Sequence, residues 1–402
     1  MLKKNAKDQG PNPVSEYEWR VKKNDRDAVA DLADELGISR VIAACCLNRG
    51  LKTSSDVKKF TNLSFDQLHD PKYLPDIEAV VERLSRAIDK GEKIHIYGDY
   101  DADGITSTAL MAMTFKRLGA NFSRSVPHRQ NDGYDLKVAT ATNILADENP
   151  AVIMTVDCGS KAFKTAEFLK KYHVDFIVTD HHMPESDGSL PDCIGVVNPN
   201  RADSKYPFSG LAGVGVAYKV ASLLAESRGV SIESVRDNLL EFVALGTVAD
   251  VAPMKDENRV LVKFGCDQLI RTKKTGLKAL LKVADVRSIN NMTIGFALGP
   301  RINAIGRLAD ATVALDLMLE KNETRANFIA AQLDTANKRR QEEQERTVKE
   351  ARSILPENLP DMILIGQNNW NAGICGLAAS KLADLYARPA LVFTHLDGEH
   401  AK

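Results

Sequence analysis

Between residues 93 and 198 short apolar runs alternate with amphipathic stretches: KIHIYG, Ile105 to Leu118, AVIMTV, Lys161 to Lys171, DFIVT and IGVVN. The short runs read as strands and the longer stretches as helices. This alternation predicts an α/β fold with a doubly wound, largely parallel sheet. Upstream, the chain to about Lys90 is mostly helical in pattern, with a linker-like run around Pro11 and Pro13 and an amphipathic segment from Asp76 to Ile88, and reads as an N-terminal helical extension. Downstream, Glu323 to Ile354 has no Gly or Pro and carries sustained i,i+4 charge pairing, which suits a long solvated connector helix. After Pro360, DMILIG, Gly373 to Tyr386 and PALVFTH write about one βαβ unit, the start of a second α/β domain. The expected boundaries are 1–320 for the first domain, with its extension over about 1–90, then 321–355 for the connector and 356–402 for an incomplete domain. A separate domain normally needs more than one such unit, so the sequence is expected to be cut short.

Charge changes this picture little. Lys+Arg 53 against Asp+Glu 54 leaves a formal net charge of −1, so a polyanionic partner would have to be drawn by local patches or bound metal. The six scattered cysteines form no C-x-x-C pair, which excludes a structural zinc cluster and a thioredoxin-like motif and suits a reducing compartment. No apolar run approaches the length of a transmembrane helix, and the start MLKKNAKDQGPNP lacks a signal-peptide core; a soluble, cytoplasmic protein without a membrane partner is expected.

The candidate chemistry sits where the strands end. GDYDADG follows the first run, DCGS the next, DHHMP the third and NPNR the fourth. In open α/β sheets the carboxyl ends of the strands form the ligand edge, so these clusters converge there. Asp99, Asp101 and Asp103 alternate, and alternate side chains of extended backbone project to one side. Carboxylates so gathered repel unless a cation lies between them. With Asp157, Asp180, His181, His182 and Asp250 they make a mixed carboxylate and imidazole set that suits Mn²⁺ or Mg²⁺, with a shared carboxylate able to bridge two ions. Taken singly, each acid reads as a solvated loop residue. Adjacent histidines do not easily ligate one ion, so one as ligand and one as acid or phosphate contact is the natural division.

Together, DADG, VDCG, DHH and Asp250 resemble the DHH phosphoesterase superfamily. YGDYDADGITST, VTDHHMP, NPNR, FSGLAGVGVAYK, GTVADVAPM and GPRINAIGR resemble, within it, the RecJ family of bacterial single-strand-specific exonucleases, closely from Tyr97 to Arg307. NWNAGICGLAASKLADLYARPALVF resembles the opening of the associated DHHA1 domain. The resemblance implies that Asp101, Asp103, Asp157, His181 and Asp250 are ligands to two divalent ions, with Asp157 bridging, His182 close to the scissile phosphate, and Asp99 as ligand or support. Smaller members of the superfamily carry His-x-x-x-Asp-x-Asp, but here Tyr97 stands four before Asp101, so one metal site has a different ligand set.

GPRINAIGRL places Arg301, Asn303 and Arg307 among residues expected to keep the backbone irregular. Guanidinium groups suit phosphate oxygens, so these residues, with Asn200 and Arg201 of NPNR, are candidate substrate contacts; the plainer reading is surface arginines paired with nearby acids. Gly210, Gly213 and Gly215 lack a P-loop ending and read as permitting a close helix start against the sheet, with amides that could touch a phosphate. Lys338, Arg339 and Arg340 read as a solvated helix face and only secondarily as a DNA-tracking patch.

The function implied by the resemblance is metal-dependent 5′-to-3′ hydrolysis of single-stranded DNA to mononucleotides in repair and recombination, with His182, Asp157 and Arg301 as catalytic residues. A single-strand-binding protein or a helicase is the candidate partner. A phosphodiesterase of short oligonucleotides or cyclic dinucleotides shares the same core chemistry, and a non-catalytic repair scaffold is the third reading. RecJ-like chains continue into a Gly-Gly-His segment and an OB-fold that are not written here, so the expectation is metal binding with poor cleavage.

Overall fold

The computed structural model describes residues 22–128, 135–308 and 310–394; the run at Pro11 and Pro13 and the final HLDGEHAK lie outside them. The chain divides into two compact units, residues 64–340, and residues 1–63 together with 341–402. In chain order, α1 (Arg26–Leu36), α2 (Arg40–Asn48) and α3 (Ser54–Thr61) come first. Asp25, Ser39 and Thr53 cap their N-termini, and Leu32, Ala33, Ala43 and Val57 form their shared core.

The larger unit begins with α4 (Ile77–Asp89) and then runs β1 (Ile94–Gly98), α5 (Ala102–Arg117), β2 (Phe122–Ser125), α6 (Val138–Glu148), β3 (Val152–Val156), α7 (Phe163–Lys171), β4 (Asp175–Thr179) and β5 (Gly195–Val197). It continues in helices: α8 (Gly213–Ser227), α9 (Ile232–Ala249), α10 (Asp256–Leu269), α11 (Thr275–Val283), the short α12 (Asn291–Thr293), a π-helical turn over Ile294–Leu298, α13 (Gly299–Leu308) and α14 (Thr312–Leu319). The charged stretch forms one helix, α15 (Glu323–Ile354), and the second α/β texture forms β6 (Ile363–Gly366), α16 (Ala372–Tyr386) and β7 (Ala390–Phe393), with β6 and β7 parallel. Trp370 is buried in the core beside this two-stranded sheet, its indole N–H donating to Glu350 at 2.7 Å.

The five-stranded sheet is parallel throughout, in the order β2-β1-β3-β4-β5. Successive side chains serve opposite faces: Ile94, Ile96, Val152, Met154 and Ile177 join the core that holds α4, α5 and α8, whereas Tyr97, Ile153, Phe176 and Val178 join the one that holds α6 and α7. Both faces are therefore covered, as the near-continuous apolar runs require. Strand order reverses between β1 and β3, the switch point at which open α/β sheets bind ligands. Among the described residues no helix is long and apolar enough to cross a membrane.

Three elements departed from the hydropathy reading, which passed over the stretch that forms α6. Strand β2, with sequence FSRS, is a half-polar edge strand whose apolar signal is a single residue, and it had no place among the apolar runs. TIGFALGPRINAIGRL is helical, not irregular, because Pro300 falls in the first turn of α13 and the wider π turn before it gives the ring room.

Buried His95 on β1 places its two ring nitrogens 2.9 Å from Ser123 Oγ and 2.8 Å from Ser125 Oγ on β2. Burial disfavours its charged form and lowers its pKa from 6.5 to about 4. The unfolded chain takes up a proton near pH 6.5 that the folded chain refuses until about pH 4. The stabilisation is thus full above pH 6.5 and lost as pH falls through this window, by at most about 3 kcal/mol. His95→Gln keeps an amide able to reach both serines, and its unfolding free energy, from urea titrations, is expected to vary less steeply between these pH values than the parent's. Identical slopes would rule this out.

Candidate metal centre

The turn after β1 is locked from several sides. Asp101 caps α5, its Oδ1 accepting from the N–H groups of Asp103 at 2.9 Å and Gly104 at 3.1 Å. Asn303, on α13, accepts from the N–H of Ala102 at 2.7 Å. Asp103 is buried, and its two oxygens accept from Gly213 N at 2.7 Å and Val214 N at 2.8 Å, where the partial positive end of α8 favours an anion. Close approach explains two glycines. A Cβ at Gly213 would overlap the Asp157 carboxylate, and one at Gly246 of α9 would lie 2.8 Å from Asp103 Oδ1.

Asp157 follows β3 with φ of 64°, in the left-handed region that aspartate tolerates better than most residues, and its N–H donates to Thr179 O at 2.9 Å. Asp250 ends α9 and is followed by Val251 at φ of 59°, a strained conformation for a β-branched side chain, which stands 87% exposed.

After β4, Asp180 is an anchor. It accepts from the N–H groups of His181 at 2.7 Å, His182 at 3.1 Å and Ser160 at 3.0 Å, and lies 2.8 Å from His182 Nδ1. The asparagines of NPNR complete the loop: Asn198 Nδ2 donates to Ser160 Oγ at 2.9 Å and His182 O at 2.8 Å, and Asn200 Nδ2 donates to His181 O at 2.5 Å. His181 is thereby held with Nε2 3.1 Å from Asp157 Oδ1, 3.8 Å from Asp103 Oδ2 and 4.0 Å from Asp250 Oδ2.

Among the described residues, three groups have ligand atoms within 4.8 Å of one another: Asp157, His181 and His182; Asp103, His181 and Asp250; and Asp99, Asp101 and Asp157. Asp157 belongs to two of them, as does His181. The rings of the consecutive histidines converge, with centroids 4.4 Å apart, so both reach one group despite the expected division of labour. Burial, and then the surrounding carboxylates, raises Asp157 and Asp103 well above the ordinary aspartate range; burial and Asp101 push Asp250 up to about 6. Burial and His182 push His181 down to about 4. Burial opposes the charge on His182, but its hydrogen bond to Asp180 outweighs this and raises it to about 9. Among the described residues, Asp157 Oδ1 and His181 Nε2 are buried without a hydrogen-bond partner although they face each other. Such orphaned atoms are costly in a finished core, and a divalent cation would satisfy both while offsetting the carboxylate repulsion. An oxygen-rich set with imidazole fits Mn²⁺ or Mg²⁺.

The structure thus gathers Asp99, Asp101, Asp103, Asp157, His181, His182 and Asp250. It engages Arg201 and Arg301 elsewhere. Arg201 forms ion pairs with Asp76 and Asp203 and donates to Val196 O at 2.8 Å, closing the free edge of β5 instead of facing the centre. Arg301 is held by Asp334 of α15 at 2.8 and 2.9 Å and donates to Ala297 O at 2.7 Å, the plainer of its two readings. Arg307 lies in the last turn of α13, and Tyr97 packs into the core on the face of the sheet with α6 and α7. The α8 amides that could have met a phosphate are taken by Asp103, and Lys338 pairs with Asp334 on the α15 surface. The anchoring roles of Asp180, Ser160 and Asn198 had no distinct signal in the sequence beyond their adjacency to the motifs. Asp135, raised by burial to about 6 and within reach of the charges of Asp180 and His182, was not singled out at all.

The DHH family, N-terminal domain, matches residues 93–247. The single-stranded-DNA-specific exonuclease RecJ of Bacillus subtilis (strain 168) is 36% identical over 383 residues, covering 94% of this chain and 48% of that protein, so the chain spans about half the length of this relative. RecJ from Thermus thermophilus, crystallised with Mn²⁺, superposes with a TM-score of 0.78 at 27% identity over 93% of this chain and 53% of that one. An exonuclease RecJ bound to manganese superposes with a TM-score of 0.72 at 31% identity over 80% of each chain. With its strand-end motifs gathered around one carboxylate and imidazole cluster, and this likeness extending over most of a solved relative, the chain belongs to the RecJ family of DHH proteins.

Proposed function

We propose that the chain carries the catalytic core of a metal-dependent exonuclease that degrades single-stranded DNA from the 5′ end to mononucleotides. The observation that supports it most is the buried pair Asp157 Oδ1 and His181 Nε2, unsatisfied and surrounded by Asp99, Asp101, Asp103 and Asp250 at the sheet's switch point. These residues would hold two divalent ions, Mn²⁺ or Mg²⁺, with Asp157 shared. Bound there, the ions would lower the pKa of water and neutralise charge on the phosphate. The protein's own share is positioning. Asp180 fixes the His182 ring, whose side chain stays 43% exposed and can donate to a non-bridging phosphate oxygen. Asp103, gripped by the α8 amides, and Asp101, gripped by the first turn of α5, hold their carboxylates in place before any ligand arrives. Arg307 is the guanidinium proposed for a neighbouring phosphate, while Arg301 secures α13 against α15. A single-strand-binding protein or a helicase would deliver the strand, in the cytoplasm.

The test is a long single strand labelled at its 5′ end, incubated with the chain and Mn²⁺. Labelled mononucleotide is expected as the first product, with none in EDTA. A 3′-labelled strand should release its label only late. Activity confined to dinucleotides would move the reading to the short-oligonucleotide phosphodiesterase, and early release of the 3′ label would refute the polarity.

A further inference from the structure

The larger unit contains a cavity of about 930 Å³ at the opposite end of α5 from the metal centre. Lys116 and Arg117 line it from the last turn of α5, whereas Asp101 and Asp103 stand at that helix's start. At 1.5 Å per residue the two sites are about 20 Å apart. Seven cationic side chains and three carboxylates line the cavity, in a chain whose formal net charge is −1. Two of these carboxylates are already engaged, Glu241 by Lys274 and Glu320 by Arg325, and Arg124 pairs with Asp316. Lys116, Arg117, Arg271, Lys273 and Lys321 have no carboxylate partner among the described residues.

The cations also crowd one another. Lys116 shares the cavity with Lys321 and Arg124, whose like charges hold it below the ordinary lysine range. Two converging ammonium groups repel, and an anion between them removes the repulsion. Beside them Thr275 lines the cavity as the first residue of α11, a helix whose N-terminus has no side-chain cap, so its first N–H groups add to the preference for an anion. The rest of the wall is mixed: Met113, Phe122, Met318 and Leu319 give an apolar patch, beside the polar Asp237, Asn238 and Gln268.

We propose that this cavity is a second, metal-independent site that binds a free nucleotide, its phosphate between Lys116, Lys321 and the start of α11 and its base against Phe122 and Met113. The volume falls in the range of small-molecule pockets, and a nucleotide supplies the combination required here, an anion joined to a flat, largely apolar ring. The cations are gathered in one concavity and do not form a stripe along a groove, which favours a free nucleotide over a strand. The inference stands apart from the nuclease reading, since none of these residues belongs to the metal cluster.

The test is isothermal titration of the chain with dAMP in EDTA, which keeps the metal centre from contributing. Saturable binding of one dAMP per chain is expected, with deoxyadenosine at least about tenfold weaker because it lacks the phosphate. Lys116→Gln combined with Lys321→Gln, at two exposed positions, is expected to weaken dAMP by about tenfold or more with an unchanged circular dichroism spectrum and thermal midpoint, and Asp157→Asn to leave it unchanged. Absence of saturable dAMP binding by the folded chain would overturn the proposal. So would binding lost in Asp157→Asn but kept in the lysine variant, which would place the nucleotide at the metal centre. Lysine-dependent binding of a thymidine dodecamer without binding of dAMP would overturn it in favour of a strand.

Discussion

Asp157→Asn is expected to lower Mn²⁺-dependent nucleotide release by at least about a thousandfold, which corresponds to roughly 4 kcal/mol of transition-state stabilisation. The same variant should leave the metal-free chain as stable as the parent, or more so. Both outcomes follow from one arrangement. Asp157 is buried, its carboxylate takes part in two of the three ligand groups, and its Oδ1 has no hydrogen-bond partner among the described residues. Without a cation it repels Asp103, Asp101 and Asp99, and removing its charge relieves that repulsion. Asparagine tolerates the left-handed backbone at this position, so the turn survives. Nucleotide release with Mn²⁺ and thermal midpoints in EDTA check the two halves separately. A variant that loses activity because the metal-free fold collapses would contradict the second half, and one that retains activity would contradict the first.

Glu257→Leu is expected to have the largest effect on stability, about 3–5 kcal/mol in urea unfolding, because it leaves a buried ammonium without its partner. Lys219 Nζ lies 2.6 Å from Glu257 Oε2, with side chains only 3% and 0% exposed. Lys219 also donates to His69 O at 2.8 Å, and Glu257 accepts from the Tyr206 hydroxyl and, at 3.3 Å, from His69 N. This network ties α8 and α10 to the segment before α4. Replacing both charges, as Lys219→Met with Glu257→Leu, removes the uncompensated charge and should recover most of the loss. A single variant within about 1 kcal/mol of the parent would show that water reaches the pair. Because the first turn of α8 holds Asp103, the single variant should also weaken the metal centre.

Much of the site was legible because its signals are local. Strands β1, β3, β4 and β5 are short apolar runs, each followed at once by its polar motif, and any parallel sheet places such strand ends on one edge. This reasoning reached Asp99, Asp101, Asp103, Asp157, His181 and His182 without coordinates, whereas Asp250 stands at the end of helix α9 and joined the set through its motif GTVADVAPM. The long helix α15 was equally plain, since 32 residues without Gly or Pro and with regular charge pairing leave little alternative. Strand β2 was not, since a four-residue edge strand with one large apolar side chain carries almost no periodic signal.

What the sequence by itself determined is therefore the order of β1, α5, β3, α7, β4 and β5, the sheet edge on which the chemistry lies, and the kinds of ligand atom available there. Only the tertiary structure decided who partners whom. Asp103 meets the amides of Gly213 and Val214 from 110 and 111 residues away, Arg201 meets Asp76 across 125, and Arg301 meets Asp334 across 33. The physical reason is that a carboxylate or guanidinium carries the same chemistry wherever it stands in the chain, and its role is set by which donors and acceptors the packing brings within hydrogen-bond range. Packing gave Asp180 to His182, turned the α8 amides towards Asp103, and left Asp157 and His181 facing each other unsatisfied.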